Sequence, residues 1–210
     1  MKCHFYKLLT AIIILSACEA KTPEETVEDL STNSAINLRV MPEWEGFWNQ
    51  QLGEFSIDQF ELIRTDSLDI LEWPHYPAKE EMLASTFVYS PDSSRYIDFL
   101  SYRYAQEVEN GQPAFLTTQP DAEVALVDLA SNMRQRLLFM GPSGAFETVT
   151  WLSNDTFLVG GYFEHEEGFT PIIYHIDLQK QEMQYYEYAS AFEKPEQTFL
   201  TQKLKDFPIR

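Results

Sequence analysis

Between Leu38 and Arg210 the chain is broken into short runs in which β-branched and aromatic residues alternate with polar ones, each run bounded by turn residues. Alternation with a period of two is the signature of strands with one buried face. Aromatic residues make up 14% of the chain, and their side chains suit a pleated, half-buried surface. The pattern places strands near residues 86–90, 95–104, 123–129, 134–140, 146–152, 157–163, 171–178 and 182–188. A first hairpin is expected from Phe55 to Trp73, turning at Thr65-Asp66-Ser67. Long amphipathic helices are absent, and only Glu43 to Leu52 and Glu196 to Lys205 have the composition for short terminal ones. The expected fold class is therefore all-β, made of antiparallel hairpins in one domain over residues 38–210.

Within that domain the strand pattern repeats. Val124-Ala-Leu-Val-Asp128-Leu129, a polar turn and a second strand parallel Ile173-Tyr-His-Ile-Asp177-Leu178, a turn and another strand. Upstream of each pair stands a further hairpin, turning at Ser90-Pro91-Asp92 before the first and at Ser153-Asn154-Asp155 before the second. The first copy is longer because residues 105–120 are inserted between its hairpins. This unit resembles a four-stranded β-propeller blade, and residues 146–188 have a suitable length for one. A closed propeller usually needs about four blades or more, whereas two such units and the N-terminal hairpin are recognised here. A partial propeller or a sandwich of consecutive hairpins is expected.

The N-terminus is of a different character. Lys2, His4 and Lys7 precede an apolar run from Leu8 to Ala17 that only Thr10 and Ser16 interrupt. The run is too short to span a bilayer, which takes about 20 apolar residues, and its cationic flank suits a cleaved leader. It ends in Leu15-Ser16-Ala17-Cys18, which resembles the lipobox of bacterial lipoproteins: an aliphatic residue, two small ones, then the cysteine that is acylated. The resemblance implies a signal peptide over residues 1–17 and a diacylglyceryl thioether on Cys18, with a third acyl chain on the new N-terminus. An ordinary secretory cleavage near Ala20 is the alternative. Glu19 in place of Asp lacks the inner-membrane retention signal of such proteins, which implies the outer membrane. Cys3 would leave with the leader, so Cys18 would be the only thiol of the mature chain and no internal disulfide could form.

Residues 19–37 are rich in Glu, Thr, Ser, Ala and Asn and carry no aromatic, a composition expected of a disordered tether. At its length such a tether holds a domain roughly 20 to 25 Å from the membrane. Glu24, Glu25, Glu28 and Asp29 within it offer a surface-sorting signal or a short helix from Pro23 to Leu30. Loss of Lys2 and Lys7 with the leader takes the formal charge from −18 to −20, which argues against nucleic acid and against electrostatic binding to anionic lipid. The membrane partner is then reached through lipid alone.

Motifs for chemistry are sparse. Gly141-Pro142-Ser143-Gly144-Ala145 approaches the esterase nucleophile elbow, but Ala145 replaces the final glycine and no helix pattern follows, so it reads as a hairpin loop. There is no Ser followed three residues later by Lys and no glycine-rich phosphate loop, and no cofactor is expected. His75, His165 and His175 have no paired metal-ligand spacing. Glu164-His165-Glu166-Glu167 is the candidate cation site if it forms a converging loop, and a solvated loop otherwise. Trp44 and Trp48, with Phe47, and Tyr185, Tyr186 and Tyr188 form two aromatic groups that suit either core or a ligand-stacking surface. The function expected from these features is a non-catalytic binding or assembly module for a protein or glycan partner. The alternatives are a carbohydrate-active enzyme using an acid pair beside Trp44, Trp48 or Trp151, and a divalent-cation-binding module.

Overall fold

Strand alternation carries through to two antiparallel sheets. The computed structural model describes residues 37–53, 55–75, 81–109, 112–166, 168–193 and 195–204. The leader, Cys18, nearly all of the tether and Glu167 lie outside the described residues. In chain order the elements are α1 (Pro42–Leu52), β1 (Phe60–Ser67), β2 (Leu71–Pro74), β3 (Val88–Tyr89), β4 (Arg95–Asp98), β5 (Tyr104–Glu109), β6 (Gln112–Thr117), β7 (Ala122–Asp128), β8 (Met133–Met140), β9 (Gly144–Trp151), β10 (Thr156–His165), β11 (Gly168–Asp177), β12 (Glu182–Tyr188) and α2 (Phe199–Lys203). One five-stranded sheet has the order β1-β12-β11-β10-β9 and the other β2-β8-β7-β4-β3, while β5 and β6 form a separate hairpin. Among the described residues the strands close into no barrel.

Both repeats form four-stranded meanders, β3-β4-β7-β8 and β9-β10-β11-β12, with the insertion folded as the β5–β6 hairpin. Their turns share chemistry. Asp128 accepts from the backbone N–H groups of Ala130 and Ser131 at 3.0 and 2.8 Å, and Asp177 accepts from those of Gln179 and Lys180 at 3.1 and 3.0 Å. Each of these turns then passes through a left-handed residue, Asn132 (φ 56°) or Gln181 (φ 54°). The upstream turns have diverged. Asp92 caps its own turn, and the Ser94 backbone N–H, the Ser90 hydroxyl and the Ser94 hydroxyl hold its carboxyl down to about 2. In the second copy Ser153 takes over that capping, which leaves Asp155 to bind Arg95 at 2.8 Å and tie the two turns together.

The expected hairpin from Phe55 to Trp73 does not form. Thr65, Asp66 and Ser67 continue β1, which pairs with β12, while β2 pairs with β8 in the other sheet. The reason lies in the connection: Leu68 and Ile70 pack against the core between the sheets, drawing the chain across rather than back. Each strand then ends on a turn of the sheet it joins, through Leu68 N–H to Gln181 O at 2.8 Å and His75 N–H to Asn132 O at 3.0 Å. The expected strand over residues 95–104 is likewise divided after Asp98, whose carboxylate accepts from the backbone N–H groups of Leu100 and Ser101.

The sheet containing β10 and β11 is covered on both faces. Phe157, Val159, Ile172 and Ile176 belong to the core shared with the other sheet, whereas Leu158 and Ile173 belong to a second core beneath α1. That helix starts at Pro42 and carries Glu43 and Glu45 in its first turn, where negative charge is favoured, and its cap Gly53 has φ +80°. Trp44, Phe47 and Trp48, spaced for one helix face, supply the buried side. Gly160 lets α1 approach the sheet, and Gly161 lets β10 approach the backbone of β9. A Cβ on Gly160 would lie 2.9 Å from Thr148 Cγ2 and 3.1 Å from the Trp44 ring, and one on Gly161 would lie 2.2 Å from the carbonyl oxygen of Ala145. Gly161→Ala is expected to cost about 2 to 3 kcal/mol in urea unfolding. Gly141→Ala, where a Cβ meets nothing within 4 Å, should change stability by less than about 0.5 kcal/mol.

Candidate functional site

The core side of the β2-β8-β7-β4-β3 sheet takes Ile97, Val124, Leu126 and Leu138. Strand alternation sends Tyr96, Asp98, Glu123, Arg134 and Arg136 to its other side, where they meet one another. Arg134 Nη1 binds Asp98 Oδ2 at 2.8 Å, its Nη2 binds Glu123 Oε1 at 3.0 Å, and Arg136 Nε binds Glu123 Oε2 at 2.6 Å. Asp98, Glu123 and Arg134 are buried, so desolvation is offset by charge-assisted bonds to matched partners. His75 and Tyr96 extend the network, with Tyr96 Oη 3.2 Å from His75 Nε2. Burial lowers the His75 pKa, the Arg134 charge lowers it further and Asp98 partly opposes both, so the ring is neutral at neutral pH.

Over this network lies a ring-lined surface. The Arg136 guanidinium sits 4.8 Å from the Phe139 ring centroid and 5.6 Å from those of Trp73 and Tyr102. Tyr102 meets Phe139 edge to face at 5.7 Å. Arg136 keeps 28% of its side chain exposed, Phe139 is 50% exposed and Leu71, opposite Arg136 on β2, is 56% exposed. Tyr89, 47% exposed, approaches Tyr96 at 5.4 Å. A guanidinium held among rings and aligned by a buried carboxylate offers planar stacking, apolar contact and fixed hydrogen-bond donors without a large net charge. The two buried carboxylates, Asp98 and Glu123, are each engaged by arginine.

The sequence-derived candidates are placed elsewhere. Trp44 and Trp48 are each 1% exposed and pack edge to face with each other, and Trp44 does the same with Phe55, in the core under α1. Tyr185 faces the core between the sheets, while Tyr186 and Tyr188 lie on the opposite face under α1. All five are buried and present no stacking surface. The alternation of the sheet separates Tyr185 from its neighbours, and α1 covers the other two. Trp151 is half-buried and donates to the carbonyl of Val88 at 2.9 Å. Glu164, His165 and Glu166 are exposed at the β10–β11 hairpin, and Glu167 lies outside the described residues. Among the described residues no group of three or more His, Cys, Asp or Glu is arranged to hold a metal ion. His175 contacts Gln184 at 3.2 Å, and Gly141 to Ser143 form the β8–β9 connection.

Sequence reasoning missed Asp98, Glu123, Arg134, Arg136, Tyr102 and Phe139 as a group. A usable signal was present: Tyr96 and Asp98, and Arg134 and Arg136, stand two apart, the spacing that puts each pair on one face of a strand. Comparison with protein-family models, curated proteins and solved structures found no match.

The network and the surface above it should respond differently to substitution. Arg134→Met leaves two buried carboxylates short of a partner and is expected to cost about 3 to 5 kcal/mol. Phe139→Ser removes a half-exposed ring and should shift stability by about 0.5 kcal/mol or less; urea melts of the two variants check both values.

Proposed function

We propose that the chain is a lipid-anchored envelope protein whose β-domain is a non-catalytic binding or assembly module for a protein or glycan partner. The single observation that supports partner binding most directly is the Arg136 surface, where Trp73, Tyr102 and Phe139 surround a guanidinium already aligned by Glu123. Ordered rings and arginines lose little conformational freedom on binding and are the side chains that dominate recognition surfaces. The anchor is supported by Leu15-Ser16-Ala17-Cys18 after a short apolar leader. Two or three acyl chains hold far more firmly than one, since each buried methylene contributes about 0.8 kcal/mol. Among the described residues no helix is long and apolar enough to cross a membrane. In this reading the tether presents the domain near the outer membrane, and the acidic surface keeps it soluble beside anionic lipid.

Two measurements test the reading. Cys18→Ala is expected to abolish acyl labelling and release the chain from membrane fractions, and continued partitioning of that variant defeats the anchor. For the surface, a photo-crosslinking amino acid at position 139 in intact cells should give a discrete adduct that the same group at exposed Thr118 does not. Sensitivity of the adduct to protease or to glycan hydrolases then separates a protein partner from a glycan. Identical products at both positions would remove the support for this face.

A further inference from the structure

Glu147 is fully buried on β9, at a point where β10 departs from simple pairing: Gly160 faces Thr148 and Gly161 faces Phe146, which leaves Glu147 as the extra residue of a bulge. A bulge re-aims a side chain, and here it brings the carboxyl to α1, where Trp44 Nε1 donates to Oε2 at 3.0 Å. The backbone N–H groups of Leu200 and Phe199 at the start of α2 and the indole of Trp48 also face the carboxyl. Even so, Glu147 Oε1 and Trp48 Nε1 both end buried without a hydrogen-bond partner. No Lys or Arg among the described residues forms an ion pair with Glu147. The other titratable groups that interact with it are Tyr162 on β10 and Tyr104 on β5; Arg103, just before β5, faces both tyrosines, and Glu164 faces Tyr162. Both tyrosine pKa values are raised, by burial first, so neither ring ionises near neutral pH. Arg103 is turned to the carbonyls of Gly144 and Pro120. At the rim, Lys203 of α2 and Glu43 of α1 stand 3.9 Å apart.

Burial makes an acid in such a place more stable neutral than charged, because ionisation puts a charge that no cation pairs between helix and sheet, where N–H donors only partly offset its desolvation. We propose that Glu147 is a proton-operated latch on α1: protonated, it holds the Trp44–Trp48 face on the sheet, and ionised, it lets the helix open. The packing beside it favours such an opening. A cleft of about 400 Å³ runs along the seam of α1 and α2 and one of about 270 Å³ lies between the start of α1 and Thr148 to Thr150 of β9, and Pro42, Glu43 and Lys203 border both. The helix is also the first long element after the tether expected at residues 18–37, so a loosened α1 would lengthen the link between anchor and sheets.

Burial pushes the Glu147 carboxyl up to about 7, against the lowering effect of the Trp44 hydrogen bond and of the α2 N–H groups. The closed form thus binds the proton more tightly than an open form with an ordinary carboxyl. The proton's contribution to closure is full at acid pH, declines as pH rises through the ordinary carboxylate range to about 7, and declines no further above that. Between pH 5.5 and 8.5 the opening equilibrium should shift by roughly tenfold or more.

Hydrogen exchange on the full chain at those two pH values, corrected for intrinsic exchange rates, reads the opening directly. The α1 amides should lose at least about tenfold of their protection at the higher pH while β7 and β8 keep theirs, and Glu147→Gln should abolish the difference. An unchanged α1 in the wild-type chain, the same pH response in the variant, or a loss of protection spread over all strands would each overturn the latch. If Glu147→Gln fails to fold, the Trp44 indole N–H resonance of the wild-type chain decides: a titration midpoint near neutrality supports the latch, and a midpoint in the ordinary carboxylate range, or none, overturns it.

Discussion

Burial of one sheet on both faces organises the rest of this structure. The β9–β12 meander carries apolar side chains to the other sheet on one side and to α1 on the other, so two cores share a single layer of backbone. The described residues contain no cysteine, so no disulfide within them restrains the unfolded state. The domain's stability must come from packed area, which this arrangement supplies by using both sides of the same strands. The close contacts follow from that demand: Gly160 where helix and sheet approach, and rings packed edge to face beneath α1.

The other sheet solves a different problem. Its second face holds a chain of charges rather than another apolar layer, and each buried charge there meets an opposite one. Such an arrangement contributes little net stability compared with apolar packing, but it orients the guanidinium and the rings above it. The two faces of the molecule thus differ in kind. The face under α1 excludes water around a single acid, and the opposite face presents ordered polar groups close to solvent.

Much of this organisation was legible in the chain itself. Alternation located most of the strands, and the paired Asp turns announced the repeated meander, because both signals are local. Pro42 and Thr198 mark the helix starts for the same reason, one by fixing φ and the other by capping. What could not be read depended on register or on distant partners. The fates of β1 and β2 turn on where Leu68 and Ile70 find cover. The opposite facing of Tyr185 and Tyr186 follows from alternation, but which faces are covered depends on α1. Asp98, Glu123 and Arg134 come from three strands and form a site only when those strands are in register. Glu147 is the least legible of all: its position rests on a bulge whose form depends on two glycines and on a tryptophan from the other end of the domain.

The placement of β1 has a consequence for how the chain reaches this state. Phe60 pairs with Tyr188, so the first strand to be made finds its partner only when nearly the whole domain has followed. The two meanders are local and can form early, whereas the strands joining their outer edges close long loops and must come late. Until then β12 and β8 each present an open edge, the condition in which strands pair with the wrong chain. The charged residues along β1, Glu61, Arg64 and Asp66, keep the waiting segment soluble. Assembly order is thus written into the topology: the first strand made is among the last to be placed.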